Sequence, residues 1–330
     1  MSRIKPYLQS CRHAGTQVFQ EAIRVSAGLF KIMIPILILV KILQELGWIA
    51  YLAIPLEPLM GLVGLPPEMG LVWATGMVNN IYGAAVVFLS LAPDHTLSVA
   101  QVTVLSTLIL VAHALPIEVK IAQKSGNRFL FQALIRVAGA LVLGIILHWT
   151  YSLTGWLQQE NAVFWQGEIQ KSPELWEWGL EQLRNLGFIF CIILALVSLM
   201  RLLNKLRITD VLVRILEPPL RFLGIGREAA PLAIVGMTMG LTYGGGLIIY
   251  ESHSGRVSSK DVFASLTLMG LTHSIIEDTL LMVMLGGHLS GILFGRLIFS
   301  LLAVALLVRC LPLLSDAFVH RFFYKLPKQS

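Results

Sequence analysis

Two histidines lie inside long apolar stretches of the sequence, and carboxylates follow each of them closely. His113 precedes Glu118, and His273 precedes Glu277 and Asp278. Imidazole titrates near neutral pH and carboxylates relay protons, so this set of residues is suited to proton coupling. The same donor atoms also bind divalent cations. A third interpretation stays open, in which these polar groups only bond across packed helices.

A second set of candidate residues interrupts two other apolar stretches with glycine, Asn, Thr and Tyr. The ends of interrupted helices expose unpaired backbone groups, which bind the polar parts of substrates. We therefore expect substrate-binding residues there, with tight helix packing through small residues as the alternative. The candidates are Asn79, Asn80, Tyr82, Thr238, Thr242, Tyr243 and Gly244.

The composition predicts that these residues sit in a membrane protein. Of the 330 residues, 56% are hydrophobic and 13% are charged, and the mean hydropathy is +0.75. Soluble domains have about a quarter of their residues charged. The net charge of +6 comes from Lys and Arg clustered between apolar segments, which is typical of cytoplasmic loops rather than of a nucleic-acid-binding surface. The three cysteines are far apart and have no metal-ligand spacing.

The sequence contains an internal repeat with a period of 160 residues. Leu56-Glu57-Pro58 recurs at 216–218, and His113 and Arg136 recur as His273 and Arg296. Shared Glu, His and Arg positions are informative in so apolar a chain. The further matches are Gly64 with Gly224, Glu68 with Glu228, Gly76-Met77 with Gly236-Met237, and Gly126 with Gly286. The two copies cover residues 25–153 and 185–312.

Charge patterning predicts that the two copies are inverted in the membrane. Between Lys41 and Glu68 there is no further basic residue, whereas 201–228 holds six. The later loop shows the reverse, with Lys and Arg at 120–128 and none at 280–288. Basic loops stay on the cytoplasmic side, so equivalent loops should lie on opposite sides of the membrane. This is the pattern of an inverted-topology repeat.

An inverted repeat requires an odd number of crossings per copy, yet each copy has four apolar segments. The segments are 25–46, 68–91, 98–121 and 129–152, then 185–205, 228–250, 260–285 and 291–312. The second segment of each copy is interrupted, at Asn79-Asn80 and at 244–246, and should therefore enter and leave on the same side. A continuous helix with a glycine-packed face is the alternative.

The predicted fold is thus an all-α integral membrane protein of two inverted repeats, each with three transmembrane helices and one re-entrant helical hairpin. Residues 1–24 form a basic cytoplasmic segment, 25–153 the first repeat and 185–312 the second. Residues 154–184 form an external linker rich in Trp and acidic residues, and 313–330 a basic cytoplasmic tail. We expect the cell's inner (plasma) membrane, with both termini cytoplasmic.

The chain resembles the gate-domain, or "nucleoside recognition", membrane proteins. The resemblance rests on Leu56-Glu57-Pro58-Leu59, on Gly64-Leu65-Pro66, on residues 74–80, and on their counterparts in the second copy. The family includes the spore maturation proteins A and B and the gate segments of ferrous-iron transporter B, and the layout is distantly similar to that of concentrative nucleoside transporters. The resemblance implies a transporter-like core. The nucleotidase domain of the iron transporter is not expected, because the sequence has no Walker-type loop.

These observations predict a secondary transporter of a small polar solute that works by alternating access between the repeats. The coupling ion is expected to be a proton, sodium or a divalent cation at His113, Glu118, His273, Glu277 and Asp278. A divalent metal-ion permease and a non-transporting assembly or signalling protein are the alternatives. We expect no enzyme activity, because no nucleophile has a matched base, and neither a cofactor nor a nucleic-acid partner. A homo-oligomer is compatible with the sequence.

Overall fold

The computed structural model describes residues 4–92, 95–161, 175–206, 208–222, 225–226, 229–240, 249–250, 252 and 257–324. Within these ranges the chain is helical, with two isolated β-bridges and no strand. The helices of the first half are α1 (Ile4–Glu45), α2 (Trp48–Ala53), α3 (Glu57–Leu62), α4 (Met69–Val78), α5 (Ile81–Leu91), α6 (Val99–Val111), α7 (Leu115–Lys124) and α8 (Phe129–Thr154). Those of the second half are α9 (Leu175–Lys205), α10 (Ile208–Phe222), α11 (Ala230–Met239), α12 (Ser259–Leu271), α13 (Glu277–Met284), α14 (Arg296–Cys310) and α15 (Asp316–Phe322).

Several of these helices have the length and apolarity of membrane spans. In the described part of the chain there are five: Thr16–Glu45, Val99–Lys124, Phe129–Thr154, Leu175–Leu203 and Ser290–Leu313. This confirms the prediction of a helical membrane protein. The equivalent stretches Val99–Lys124 and 260–285 are each divided, the first into α6 and α7 and the second into α12 and α13.

The helices α6 and α12 form the centre of the fold. Nearly all of their side chains are buried, whereas α1 and α9 expose large apolar residues along much of their length. A helix that is apolar all round is suited to a buried position. The outer helices α1 and α9 are equivalent in the two copies and pack against each other, with Arg201 donating to Glu21 at 2.6 Å.

The helix boundaries differ from those predicted at two places. Helix α1 starts at Ile4 and continues through the predicted end of the N-terminal segment at residue 24. Helix α9 starts at Leu175, about ten residues before the predicted start of the second repeat. Each helix continues through the predicted boundary, although Gly28 and Gly187 lie near those positions. Glu168, Glu174 and Trp165 of the predicted linker lie outside the described residues.

The segment 68–91 is interrupted where predicted. Helix α4 ends at Val78, and α5 starts at Ile81 with Asn80 as its N-cap, whose side chain accepts from the Gly83 N–H at 2.9 Å. The two helices pack closely, since a Cβ added at Gly76 would lie 3.2 Å from that of Ala84. In the second copy α11 ends at Met239, and Thr242, Tyr243 and Gly244 lie outside the described residues.

The third segment of each copy is also interrupted, which the sequence did not lead us to expect. Helix α6 ends at Val111 and α7 starts at Leu115; α12 ends at Leu271 and α13 starts at Glu277. Ala114 and Ser274, which are equivalent residues, both have positive φ, 47° and 46°.

The four-residue spacing of His273 and Glu277 would put them on one face of a continuous helix, but the break separates them. His273 and Ser274 lie in the break, ahead of the helix that carries the two carboxylates. In the first copy Pro116 removes a helical donor and crowds the carbonyl of Ala112. In both copies an N–H of the break bonds instead to the preceding interrupted segment, Ala114 to the Gly76 carbonyl and Ile275 to the Met237 carbonyl, each at 2.9 Å.

Short segments that follow the last helix of each copy cover a turn of the other copy. We call residues 155–161 the first strap and 315–324 the second strap. In the first strap, Asn161 donates from Nδ2 to the Leu285 carbonyl at 3.2 Å, beside the turn at Gly286. In the second strap, the Phe323 carbonyl accepts from the Arg128 N–H at 2.8 Å, beside the turn at Gly126. Both turn glycines have φ near 100°, which favours glycine.

Candidate functional site

His113 and His273, separated by 160 residues in sequence, meet at the centre of the molecule. Their Nε2 atoms are 3.0 Å apart and their ring centroids 4.7 Å apart. Both side chains are buried, at 4% and 1% exposure. Equivalent residues of the two sequence copies are thus in direct contact. The two breaks in α6–α7 and α12–α13 therefore face each other here.

The second ring nitrogen of each histidine is bound to the backbone of its own helix. The Nδ1 atom of His113 is 3.0 Å from the Ile109 carbonyl oxygen, and that of His273 is 2.9 Å from the Met269 carbonyl oxygen. A carbonyl oxygen only accepts hydrogen bonds, so both Nδ1 atoms carry hydrogen. In each neutral ring the Nε2 atom then has the lone pair, and the two lone pairs point toward each other.

Two carboxylates complete the site. Oε1 of Glu118 is 3.1 Å from Nε2 of His273 and 3.7 Å from Nε2 of His113. Oδ2 of Asp278 is also 3.7 Å from Nε2 of His113, is buried, and has no hydrogen-bond partner. Glu118 and Asp278 are themselves 160 residues apart, a match that our sequence comparison missed.

Glu118 is buried rather than exposed at the membrane interface. Its neighbour Lys120 would suggest a position at the cytoplasmic boundary, but the Glu118 side chain is 6% exposed and faces the two histidines. The reason is a partner on the neighbouring helix, because Nη1 of Arg136 donates to Oε2 of Glu118 at 2.6 Å. A buried charge is tolerated when it is paired in this way.

Arg136 and Arg296 hold the two breaks in place. Arg136 donates from Nε to the Val111 carbonyl at 2.9 Å and from Nη2 to the His113 carbonyl at 2.8 Å. Arg296 repeats this arrangement on the carbonyls of Leu271 and His273. A guanidinium group can donate hydrogen bonds to the free carbonyls at the C-terminal end of a helix, and its positive charge interacts favourably with the helix dipole. Both arginines belong to the period-160 repeat, which marks them as equivalent positions. The sequence alone did not assign them to the site.

The predicted substrate-binding residues of the first copy lie at the break between α4 and α5. Tyr82 is buried, and its hydroxyl donates to Oε1 of Glu277 at 3.0 Å, which links α5 to α13 of the other copy. The Nδ2 atom of Asn79 is buried without a hydrogen-bond partner. Asn80 caps α5, and the Thr238 hydroxyl donates to the Ile234 carbonyl within α11 at 2.9 Å.

A cavity of about 290 Å³ lies away from this centre, at the start of α6. Its lining includes Gln101 of α6, His148 and Ser152 of α8, and Glu160 of the first strap. The backbone around it contains Gly64, whose φ of 69° and close approach to the His148 ring leave no room for a side chain. The central cluster and this cavity are distinct features.

Among the described residues, His113, Glu118 and His273 form the group whose donor atoms are close enough to hold a metal ion, all within 4.8 Å of one another. The arrangement can bind one small cation or share a proton between the rings. The site lies between four helix ends that converge from both copies, those of α6, α7, α12 and α13.

Comparison with known proteins agrees with the resemblance seen in the sequence. Residues 26–124 match the family model Gate, described as nucleoside recognition. The chain is 27% identical over 264 residues to the uncharacterized membrane protein YvoD of Bacillus subtilis (strain 168), covering 78% of this chain and 81% of that protein. No solved structure matches the chain. The predicted relation to gate-domain membrane proteins is confirmed.

Proposed function

Since residues 26–124 of this membrane protein are a Gate domain, we propose that the chain is a secondary transporter of a small polar solute. It works by alternating access between two inverted repeats, in the inner (plasma) membrane and with both termini cytoplasmic. The coupling ion is a proton, sodium or a divalent cation. Transport, rather than enzymatic chemistry, is the activity.

The contact between His113 and His273 at two helix breaks is the observation that carries this proposal. Many secondary transporters place their sites where discontinuous helices of two repeats meet. Here equivalent breaks are in direct contact, and each is capped by an equivalent arginine. The opposite charge bias of the equivalent loops supports inversion of the copies, and the interrupted segments 68–91 and 228–250 are then the re-entrant hairpins.

The solute site lies at the tip of the first hairpin, on Asn79, Asn80 and Tyr82, with Thr238 and the residues around Gly244 as its counterpart. The amide of Asn79 supports this placement, because a buried donor without a protein partner is available to a ligand. Tyr82 is suited to couple solute and ion, since its hydroxyl bonds to Glu277 of the other copy.

Uptake into proteoliposomes tests the proposal. Purified protein is reconstituted and supplied with labelled nucleosides, organic anions and amino acids under proton or sodium gradients. Uptake of one class, above that of empty vesicles, is expected. Asn79→Leu removes only an unpaired amide, so the fold should be retained while the KM for uptake rises about tenfold or more. Gradient-driven uptake of none of these classes by correctly folded protein would overturn the proposal.

A further inference from the structure

The centre where His113 meets His273 has more donor atoms than a shared proton or a packing contact needs. Three donor atoms converge, namely Nε2 of His113, Nε2 of His273 and Oε1 of Glu118, at separations of 3.0, 3.1 and 3.7 Å. A fourth, Oδ2 of Asp278, lies 3.7 Å from Nε2 of His113. In a tetrahedral site with bonds of about 2.0 Å, ligand atoms lie roughly 3.3 Å apart. The spacing observed here brackets that value.

The hydrogen-bond pattern around the rings fits a metal centre. Both Nδ1 atoms donate to carbonyl oxygens, of Ile109 and Met269, so both Nε2 lone pairs face inward at 3.0 Å. Two lone pairs at this separation repel unless a cation, either a proton on one Nε2 atom or a metal ion, lies between them. Histidines that bind metals usually donate their other ring N–H to a carbonyl or carboxylate, which fixes the ring in the same manner.

The carboxylates distinguish a metal ion from a shared proton. A proton between the rings needs two acceptors, and it would leave Oδ2 of Asp278 as it stands, buried and without a partner. A divalent cation uses that oxygen together with Oε1 of Glu118. The other oxygen of Glu118 is held by Arg136 at 2.6 Å, which keeps Oε1 directed at the centre.

We infer that His113, His273, Glu118 and Asp278 form a binding site for one zinc-like divalent transition-metal ion at the junction of the two repeats. Two imidazoles and two carboxylates suit Zn²⁺ and its neighbours in the first transition row better than Mg²⁺. The two carboxylates balance the ion's charge. Arg136 and Arg296 add positive charge nearby, which weakens the site and favours release of the ion, as transport requires.

Metal binding to purified protein tests this inference without reference to uptake. Full-length protein in detergent, with its purification tag removed and its metals stripped by a chelator, is titrated with Zn²⁺ by calorimetry. Bound metal is then counted by elemental analysis after gel filtration. One Zn²⁺ per chain is expected, with Mg²⁺ failing to compete. Co²⁺ bound in its place should give the visible absorption of tetrahedral coordination.

The variants separate a built site from adventitious binding. His113→Gln and His273→Gln are each expected to weaken Zn²⁺ binding by about 100-fold or more, and Asp278→Asn by about tenfold. His320→Gln is the matched control, because His320 is an exposed residue of α15. The Zn²⁺ affinity of this variant should equal that of the wild type. Thermal unfolding of the metal-free variants verifies that each is folded.

Two results would overturn the inference. The first is that the wild type binds no stoichiometric Zn²⁺, which a shared proton predicts. The second is that His113→Gln and the wild type bind Zn²⁺ with equal affinity. The proposed transport function is contradicted by a different result. Protein that binds one Zn²⁺ but takes up no organic solute contradicts the solute transporter alone, whereas uptake without metal binding contradicts the metal site alone.

Discussion

Arg136 and Glu118 form an ion pair that is almost completely buried, with Nη1 and Oε2 2.6 Å apart and side-chain exposures of 2% and 6%. The pair joins α8 to α7, directly behind the two histidines. Its stabilising effect depends on both partners being present, because a lone buried charge is costly.

The first prediction concerns this pair. Arg136→Met should lower the free energy of unfolding by about 3–5 kcal/mol, since Glu118 is left charged and unpaired. Adding Glu118→Gln should restore part of that loss. Thermal or denaturant unfolding in detergent measures both. A double variant as unstable as Arg136→Met would show that the lost carbonyl contacts of the guanidinium, rather than the stranded charge, dominate.

The second prediction concerns topology. Lys124 and Leu289 are exposed residues at equivalent turns of the two copies. On a background without the native cysteines, Lys124→Cys should react with impermeant reagents from the cytoplasmic side and Leu289→Cys from the outside. Labelling is measured in inverted and right-side-out vesicles. Reaction of both from one side would contradict the inverted arrangement.

The third prediction uses two glycines that both lie within helices, Gly83 in α5 and Gly61 in α3. A Cβ at Gly83 would lie 2.6 Å from Nδ2 of Asn79, whereas a Cβ at Gly61 meets nothing within 4 Å. Gly83→Ala should therefore displace the Asn79 amide and reduce solute uptake about tenfold, since a misplaced binding group costs affinity. Gly61→Ala should leave uptake unchanged and raise stability by up to about 1 kcal/mol. Equal uptake by the two variants would separate Asn79 from the solute site.

The fourth prediction concerns the bond between Tyr82 and Glu277. Glu277→Gln keeps an acceptor for the Tyr82 hydroxyl but removes the charge, while Tyr82→Phe removes the bond and keeps the charge. If the charge of Glu277 drives coupling, Glu277→Gln should abolish gradient-driven uptake while exchange of solute persists. Tyr82→Phe should retain coupling with a higher KM. Coupled uptake by Glu277→Gln at the rate of the wild type would remove that carboxylate from the mechanism.

The apolar segments and the break at Asn79–Asn80 could be predicted because they depend on local sequence. Hydrophobic length identifies spans, and Asn80 is a residue type that caps helices. The central cluster depends on contacts across the fold, and so was only partly foreseen. His113 and His273 were recognised as equivalent, but nothing local to either one indicates that they touch.

The breaks after α6 and α12 illustrate the same limit. Pro116 indicates a break in the first copy, but the second copy has no proline there, and its chain turns because Ile275 bonds to the carbonyl of Met237 in α11. Arg296 then satisfies the carbonyls that the break leaves free. These hydrogen bonds come from residues about 20 to 40 positions away in the sequence, so local helix propensity does not predict them.

The straps have a consequence for how such a chain arises. Asn161, after the last helix of the first copy, completes the Gly286 turn of the second, and Phe323, after the last helix of the second, completes the Gly126 turn of the first. The straps also contact their own copies, the first through bonds to residues 97–100 and the second through Phe263, so each strap joins the two copies. The arrangement resembles a homodimer in which the trailing end of each subunit reaches onto the other, here joined in one polypeptide.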